Sequence, residues 1–307
     1  MHCATSMSAV PTLREHGFDT NPYIRWLKAT ESPLFQGGGY WWRPYHGALL
    51  PANPNPTPVH ILARDAQNVL RASGCFLLRH FTRTFKAPTE FWYVACQEYD
   101  FERLSSNTRS KVRRARKQCA VRRVSLEWLI AEGYPCYAAA HTRYERSPAL
   151  RRASFEANER KCIGGPFECW GVFVDEKLVG YARCAVGPNY AATLVLKFHP
   201  DYLRLYSAYA LFDALLSQYV SHERKLVNNG FRSLAHDTNM QQFLEQFSFQ
   251  KVYCDLRIVY SPVAGLGIRG LFPFRKLTCQ LRSFARIQNL LDQEQIQRSF
   301  SAPPATL

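Results

Sequence analysis

Between residues 168 and 198 the chain reads "ECWGVFV", a charged turn "DEK", "LVGYARCAV", then Gly187-Pro188-Asn189 and "YAATLVLKF". Three runs rich in β-branched, aromatic and small apolar residues, parted by two turn signals, predict three antiparallel strands. The next apolar residues, Leu205, Tyr209, Phe212, Leu216 and Tyr219, recur at helical spacing, so a long amphipathic helix follows the meander. That succession restricts the chain to layouts in which helices cover a largely antiparallel sheet. A strand in "GFRSLAH" comes next. A short helix "TNMQQFLEQF" then places Met240, Phe243, Leu244 and Phe247 on one side, and "KVYCDLRIVYS" reads as a final long strand.

Upstream, residues 1–40 form a lead-in ending in "QGGGY", and residues 41–103 read as a small β-rich unit. There "YWWRPYHGALLPA" is an aromatic-rich strand closed by "PANPNPTP". "VHILARDAQNVLRAS" has helical spacing and stops at Gly74, while "CFLLRHFTRTF" and "EFWYVACQEY" are strand candidates. Residues 104–262 form the larger unit, and 263–307 a basic, apolar extension and tail.

The larger unit opens on "LSSNTRSKVRRARKQCAVRRV", eight Lys or Arg without an acid. Leu104, Thr108, Val112, Ala115 and Cys119 recur at helical spacing and define one packing stripe, capped by Ser105 or Ser106. Arg109, Lys111, Arg113, Arg114, Arg116 and Lys117 spread over the remaining surface. They suit a solvated face, a tRNA grip or an anionic membrane surface. A short strand "AVRRVSL" and three helical segments, "LEWLIAEG", "CYAAAHTRYERS" and "ALRRASFEANERKC", then lead to the meander.

Thirty-nine basic against 24 acidic residues give a formal charge of +15, which favours polyanionic partners. The ten cysteines are scattered without a C-x-x-C pair, so no metal site is expected and reduced thiols are. The N-terminus lacks a basic start followed by an apolar run, and no apolar run reaches membrane-spanning length. A cytoplasmic protein is expected, at most peripheral to the inner face of a membrane.

The order strand, helices, three antiparallel strands, helix, strand, helix, strand over residues 120–261 resembles the GNAT-type N-acyltransferases. "VDEKLVGYARC", with Gly180, looks like that superfamily's second hairpin, and "TNMQQFLEQFSFQKVY", with Asn239 and Phe249, like its last helix and strand. The basic leading helix is similar to the segment before the second domain of Fem-type aminoacyltransferases. The resemblance implies a mixed-sheet α/β acyltransferase fold, preceded by a smaller β-rich unit that is a degenerate second half of the same kind.

It further implies that the fourth and fifth strands splay and hold acetyl-CoA or another acyl-CoA. Leu196, Lys197 and Phe198 would line the fourth strand, Arg204, Ser207 and Ala208 the diphosphate at the next helix N-terminus, and Asn239 would also bind the cofactor. The family's loop pattern is matched here only at Arg204, since Ser207 and Tyr209 replace small residues. Leu244 stands where the family often has an acidic tyrosine. Acyl transfer to an amine needs a proton acceptor and a donor to the leaving thiolate. His199 reads as acid–base or phosphate-facing, His236 as chemistry at a strand end, and Tyr253 as an acid or a core tyrosine. "HTRYER" (141–146) would line the acceptor side. Acyl transfer from acyl-CoA to an amine is the expectation; aminoacyl-tRNA is the alternative donor, and a non-catalytic RNA- or membrane-surface binder the alternative class.

Overall fold

Two mixed sheets share the chain in the computed structural model, which describes residues 21–143, 148–234, 239–275 and 285–300. The first stretch runs α1 (Pro22–Ala29), β1 (Phe35–Gly37), β2 (Tyr40–Tyr45), β3 (Ala48–Pro51), α2 (Ala63–Ser73), β4 (Leu77–His80), β5 (Thr84–Phe85) and β6 (Phe91–Cys96). The basic helix α3 (Ser106–Gln118) leads to β7 (Ala120–Val124), α4 (Leu126–Glu132), α5 (Tyr134–His141) and α6 (Arg152–Arg160). The meander forms as β8 (Phe167–Val174), β9 (Lys177–Val186) and β10 (Tyr190–Phe198), and a 3-10 turn at Pro200–Leu205 enters α7 (Ser207–Leu216). Then come β11 (Leu226–Phe231), α8 (Met240–Glu245), β12 (Gln250–Cys254), β13 (Arg257–Tyr260), α9 (Pro262–Leu271) and α10 (Ala285–Ser299).

The larger sheet has the order β5-β12-β6-β11-β10-β9-β8-β7, the smaller β1-β2-β3-β4-β13. Both follow one plan. A meander (β8-β9-β10, or β1-β2-β3) is followed by a crossing helix (α7, or α2) and a strand parallel to the meander's last. An antiparallel strand then flanks that parallel strand, and in each sheet it comes from the other stretch of chain. β6 pairs with β11, and β13 with β4. Neither sheet is complete without this reciprocal exchange, so the two halves are bound through backbone hydrogen bonds as well as packing.

The exchange requires the expected long strand at 251–261 to break, and it does, at Asp255. This carboxylate is fully buried and accepts from Thr82 N (2.8 Å), Thr82 Oγ1 (2.6 Å), Arg83 N (3.0 Å) and Arg257 Nε (2.8 Å). Burial raises its pKa, but those four donors outweigh burial and hold it below the usual carboxylate value. Other expectations shift too. The single strand expected from residue 40 is the hairpin β2–β3, because His46 (φ 49°) and Gly47 (φ 82°) both take left-handed backbone. The strand expected at "GFRSLAH" lies earlier, at β11, where buried Val227 and Asn228 anchor it and Gly230 (φ 71°) bulges before its end.

The main core lies between the larger sheet and one helical layer, with Val112 and Ala115 of α3 meeting Leu211, Phe212 and Leu215 of α7. On the other face α4–α6 pack Leu129, Tyr137 and Phe155 against Cys169, Phe173 and Tyr181. Met240, Phe243, Leu244 and Phe247 close the first layer, as their spacing predicts.

Candidate functional site

β10 and β11 begin as parallel neighbours and then part. Register pairs join Tyr190, Ala191 and Ala192 to Leu226, Val227 and Asn228, and no pair joins them beyond. β10 continues six residues past this fork to Phe198, bound to β9 on its other edge. At the point of divergence Leu194 is a bulge between Thr193 and Val195 and is 40% exposed. The fork is held by Thr193 Oγ1, which donates to Asn228 O at 3.1 Å, with Asn229 Nδ2 donating to Thr193 Oγ1. A strand edge freed in this way offers N–H and C=O groups to an extended ligand, as a sheet edge does to an added strand. The smaller sheet has the same fork at β3–β4, but its own chain crosses there, with Val59 N donating to Phe81 O at 2.8 Å.

Beyond the fork stands the N-terminus of α7. Tyr206 precedes it in left-handed backbone (φ 61°, ψ 32°), and no side chain caps the helix. First-turn amides of a helix have no intrahelical acceptor, so this end attracts anions. Ser207 is fully buried there, and its Oγ has no hydrogen-bond partner among the described residues. Arg204 is exposed one turn before, and Ala208 is half-buried on the helix.

No family model matches the chain, and no curated protein does. Solved structures do. FemX aligns over 80% of this chain and 92% of its own, with TM-score 0.53 and 8% identity. The C-terminal DUF2156 domain assigned to a lysylphosphatidylglycerol synthetase of Agrobacterium fabrum covers 81% of this chain and 90% of its own, with TM-score 0.51 and 10% identity. A tandem GNAT protein from the clavulanic acid biosynthesis pathway covers 73% of this chain and 81% of its own, with TM-score 0.41 and 12% identity. The fold is the one seen in FemX and in this DUF2156 domain.

Tyr209 stands in the first turn of α7, its ring 5.7 Å from that of Tyr206 and packed against neighbouring elements. Its ring packs edge-on against Phe243 at 5.0 Å, its hydroxyl donates to Gln246 Oε1 at 3.0 Å, and Lys111 Nζ donates to that hydroxyl from α3 at 3.3 Å. The tyrosine thus ties α7 to α8 and α3. Gly180 serves the fork from β9, since a Cβ there would come within 2.6 Å of the Phe198 ring.

On the α5 side of β10 lies a cluster that sequence reasoning placed only loosely. Strand alternation puts Val195 and Lys197 on that side, and Leu196 and Phe198 towards α7. Lys197 Nζ lies 2.9 Å from His141 Nε2 and 5.6 Å from the centre of the Tyr137 ring. Burial lowers the Lys197 pKa, and the thiol of Cys136, itself pushed up to about 12 by burial, opposes that only partly. His199 ends β10, its N–H donating to Val179 O at 2.8 Å and its ring edge-on to Tyr202. Its Nδ1 is buried 3.8 Å from Asp201 Oδ2, beyond hydrogen-bond reach.

The other expected residues are dispersed. Tyr253 lies on β12, two strands beyond β11, against Trp92. Asn239 is exposed before α8, while His236 and residues 144–147 fall outside the described residues. Among the described residues no group of three His, Cys, Asp or Glu side chains could hold a metal. The cations of α3 divide. Arg116 makes a bidentate pair with Asp213 (2.8 and 2.8 Å), whose Oδ1 also accepts from Tyr99 at 2.7 Å, and Arg109 donates to the Glu102 carbonyl. Arg113, Arg114 and Lys117 stay exposed.

Proposed function

We propose that the chain is an N-acyltransferase whose donor lies in the β10–β11 fork, with acetyl-CoA or another acyl-CoA as co-substrate and an amine as acceptor. The observation that carries this reading is the coincidence of a free strand edge, a bulge at its origin and an uncapped helix N-terminus at its end. An extended amide-bearing arm pairs with the β10 edge, and a diphosphate meets the first amides of α7, Ser207 Oγ and Arg204. The acceptor enters from the α5 side. There the Lys197–His141 pair takes the proton released as the amine nitrogen bonds to the acyl carbon and the carbon–sulfur bond breaks, the sulfur leaving with CoA as a thiolate that takes its proton from solvent. Burial favours the neutral amine of Lys197, the form that can accept that proton. Backbone N–H groups at the Leu194 bulge would stabilise charge on the acyl oxygen.

A charged-tRNA donor is the second reading. It is supported by Arg113, Arg114 and Lys117 standing exposed on the helix whose Lys111 reaches the α7 end. Calorimetric titration of the full chain with acetyl-CoA, CoA and bulk tRNA at two salt concentrations separates the readings. Micromolar CoA binding that weakens about tenfold or more in Arg204→Ala and Ala208→Asp supports the first. No CoA binding, with tRNA affinity falling steeply with salt, overturns it in favour of the second.

A further inference from the structure

Helix α9 carries an apolar face that no other described residue covers. Its underside is fixed, with Gly265 and Ile268 buried and α9 resting on β13 and α10. Phe272, just beyond, is held under the guanidinium groups of Arg298 (3.7 Å) and Arg275 (4.5 Å). Successive residues turn by about 100° on a helix. Val263, Leu266, Gly267 and Gly270 therefore project together on the opposite side with no charged residue among them, and Phe274 is exposed on the 3-10 turn that follows. Val263 is 82% exposed, Leu266 70% and Phe274 56%, with Leu271 at the margin. Of the eleven large apolar residues exposed on the described surface, four lie in these twelve positions, so the patch is a concentration and not ordinary scatter.

The electrostatics point to the occupant. No Asp or Glu occurs between Asp255 and Asp292, a stretch holding five Arg and one Lys, and exposed Arg269 borders the apolar face. A second copy of a +15 chain would meet this border with like charge, whereas an anionic bilayer complements it. The helix is too short to cross, since no helix among the described residues is long and apolar enough to do so. A rigid apolar face bordered by arginine suits a helix lying in the plane of the headgroups.

We propose that this face docks on an anionic lipid surface, with Val263, Leu266 and Phe274 entering the headgroup layer and Arg269 pairing with lipid phosphates. The docking is independent of the chemistry proposed for the fork. Flotation of the full chain with phosphatidylcholine vesicles, with and without roughly one-third phosphatidylglycerol, tests it. Association with the anionic vesicles is expected, falling about tenfold or more in Leu266→Asp/Phe274→Asp and several-fold in Arg269→Glu. These positions are exposed, so both variants should melt like the wild type, which thermal unfolding checks. No association of the wild type, or equal association of the doubly substituted chain, would overturn the proposal. So would a wild-type dimer in sedimentation velocity that the double substitution dissolves, since a second copy would then be the occupant.

Discussion

Lys197 Nζ and His141 Nε2 lie 2.9 Å apart although 56 residues separate them in the chain. The strand that runs past the fork thus also carries a lysine paired with the last residue of α5. Burial lowers the lysine's pKa, so its neutral form is reached at lower pH than for a solvated lysine. Lys197→Met and Lys197→Arg should each lower kcat by about a hundredfold, the arginine because it keeps the charge and cannot accept a proton. The acid limb of the wild-type pH–rate profile should fall below the ordinary lysine range and vanish in Lys197→Arg. Steady-state rates against pH, with CoA affinity measured separately, check this.

Arg116 is tied into the fold by its bidentate pair with Asp213. Removing it leaves the Asp213 carboxylate, with 8% of its side chain exposed, bonded to Tyr99 alone. Because Arg116 is itself half-exposed, Arg116→Ala should cost about 1–2 kcal/mol, at the lower end for hydrogen bonds to a charged partner. Arg114→Ala/Lys117→Ala should stay within about 0.5 kcal/mol of the wild type. Urea unfolding followed by circular dichroism compares them.

Asp255 holds the point where the chain passes from one sheet to the other. Asp255→Ala strands four donors and should destabilise by about 3 kcal/mol or more, whereas Asp255→Asn should recover part of that. The carboxylate's folded pKa is depressed, so its contribution is complete above the unfolded value of about 4 and is lost as pH falls through the folded value. The stability gap between wild type and Asp255→Asn should therefore narrow only below about pH 4, which melts across the acid range will show.

The sequence discloses local order better than exchange. Alternation and turn residues locate β8–β10, and the stripe Met240, Phe243, Leu244, Phe247 locates α8, because period and composition are properties of neighbouring residues. The insertion of β6 beside β11 and of β13 beside β4 is non-local, and the apolar run "KVYCDLRIVYS" carries no mark of it except Asp255. An acid inside a strand-like run was the available signal for the break. The β10–β11 fork was legible through the resemblance of element order. The Lys197–His141 pair was not, since spacing cannot bring a strand residue to one helix end rather than another. The basic run was legible as a helix with one apolar stripe. That Arg116 and Lys111 turn inward to Asp213 and Tyr209 follows only from the packing of α3 on α7.

On the proposed function, the β10–β11 fork and the start of α7 hold an acyl-CoA. Amide hydrogen–deuterium exchange on the full chain, with and without saturating acetyl-CoA, addresses it residue by residue. Slowed exchange is expected only in peptides covering residues 193–198 and 204–210, with the smaller sheet's β3–β4 fork unchanged. Unaltered exchange at both of these segments under saturating acetyl-CoA, or protection confined to the smaller sheet, would contradict it.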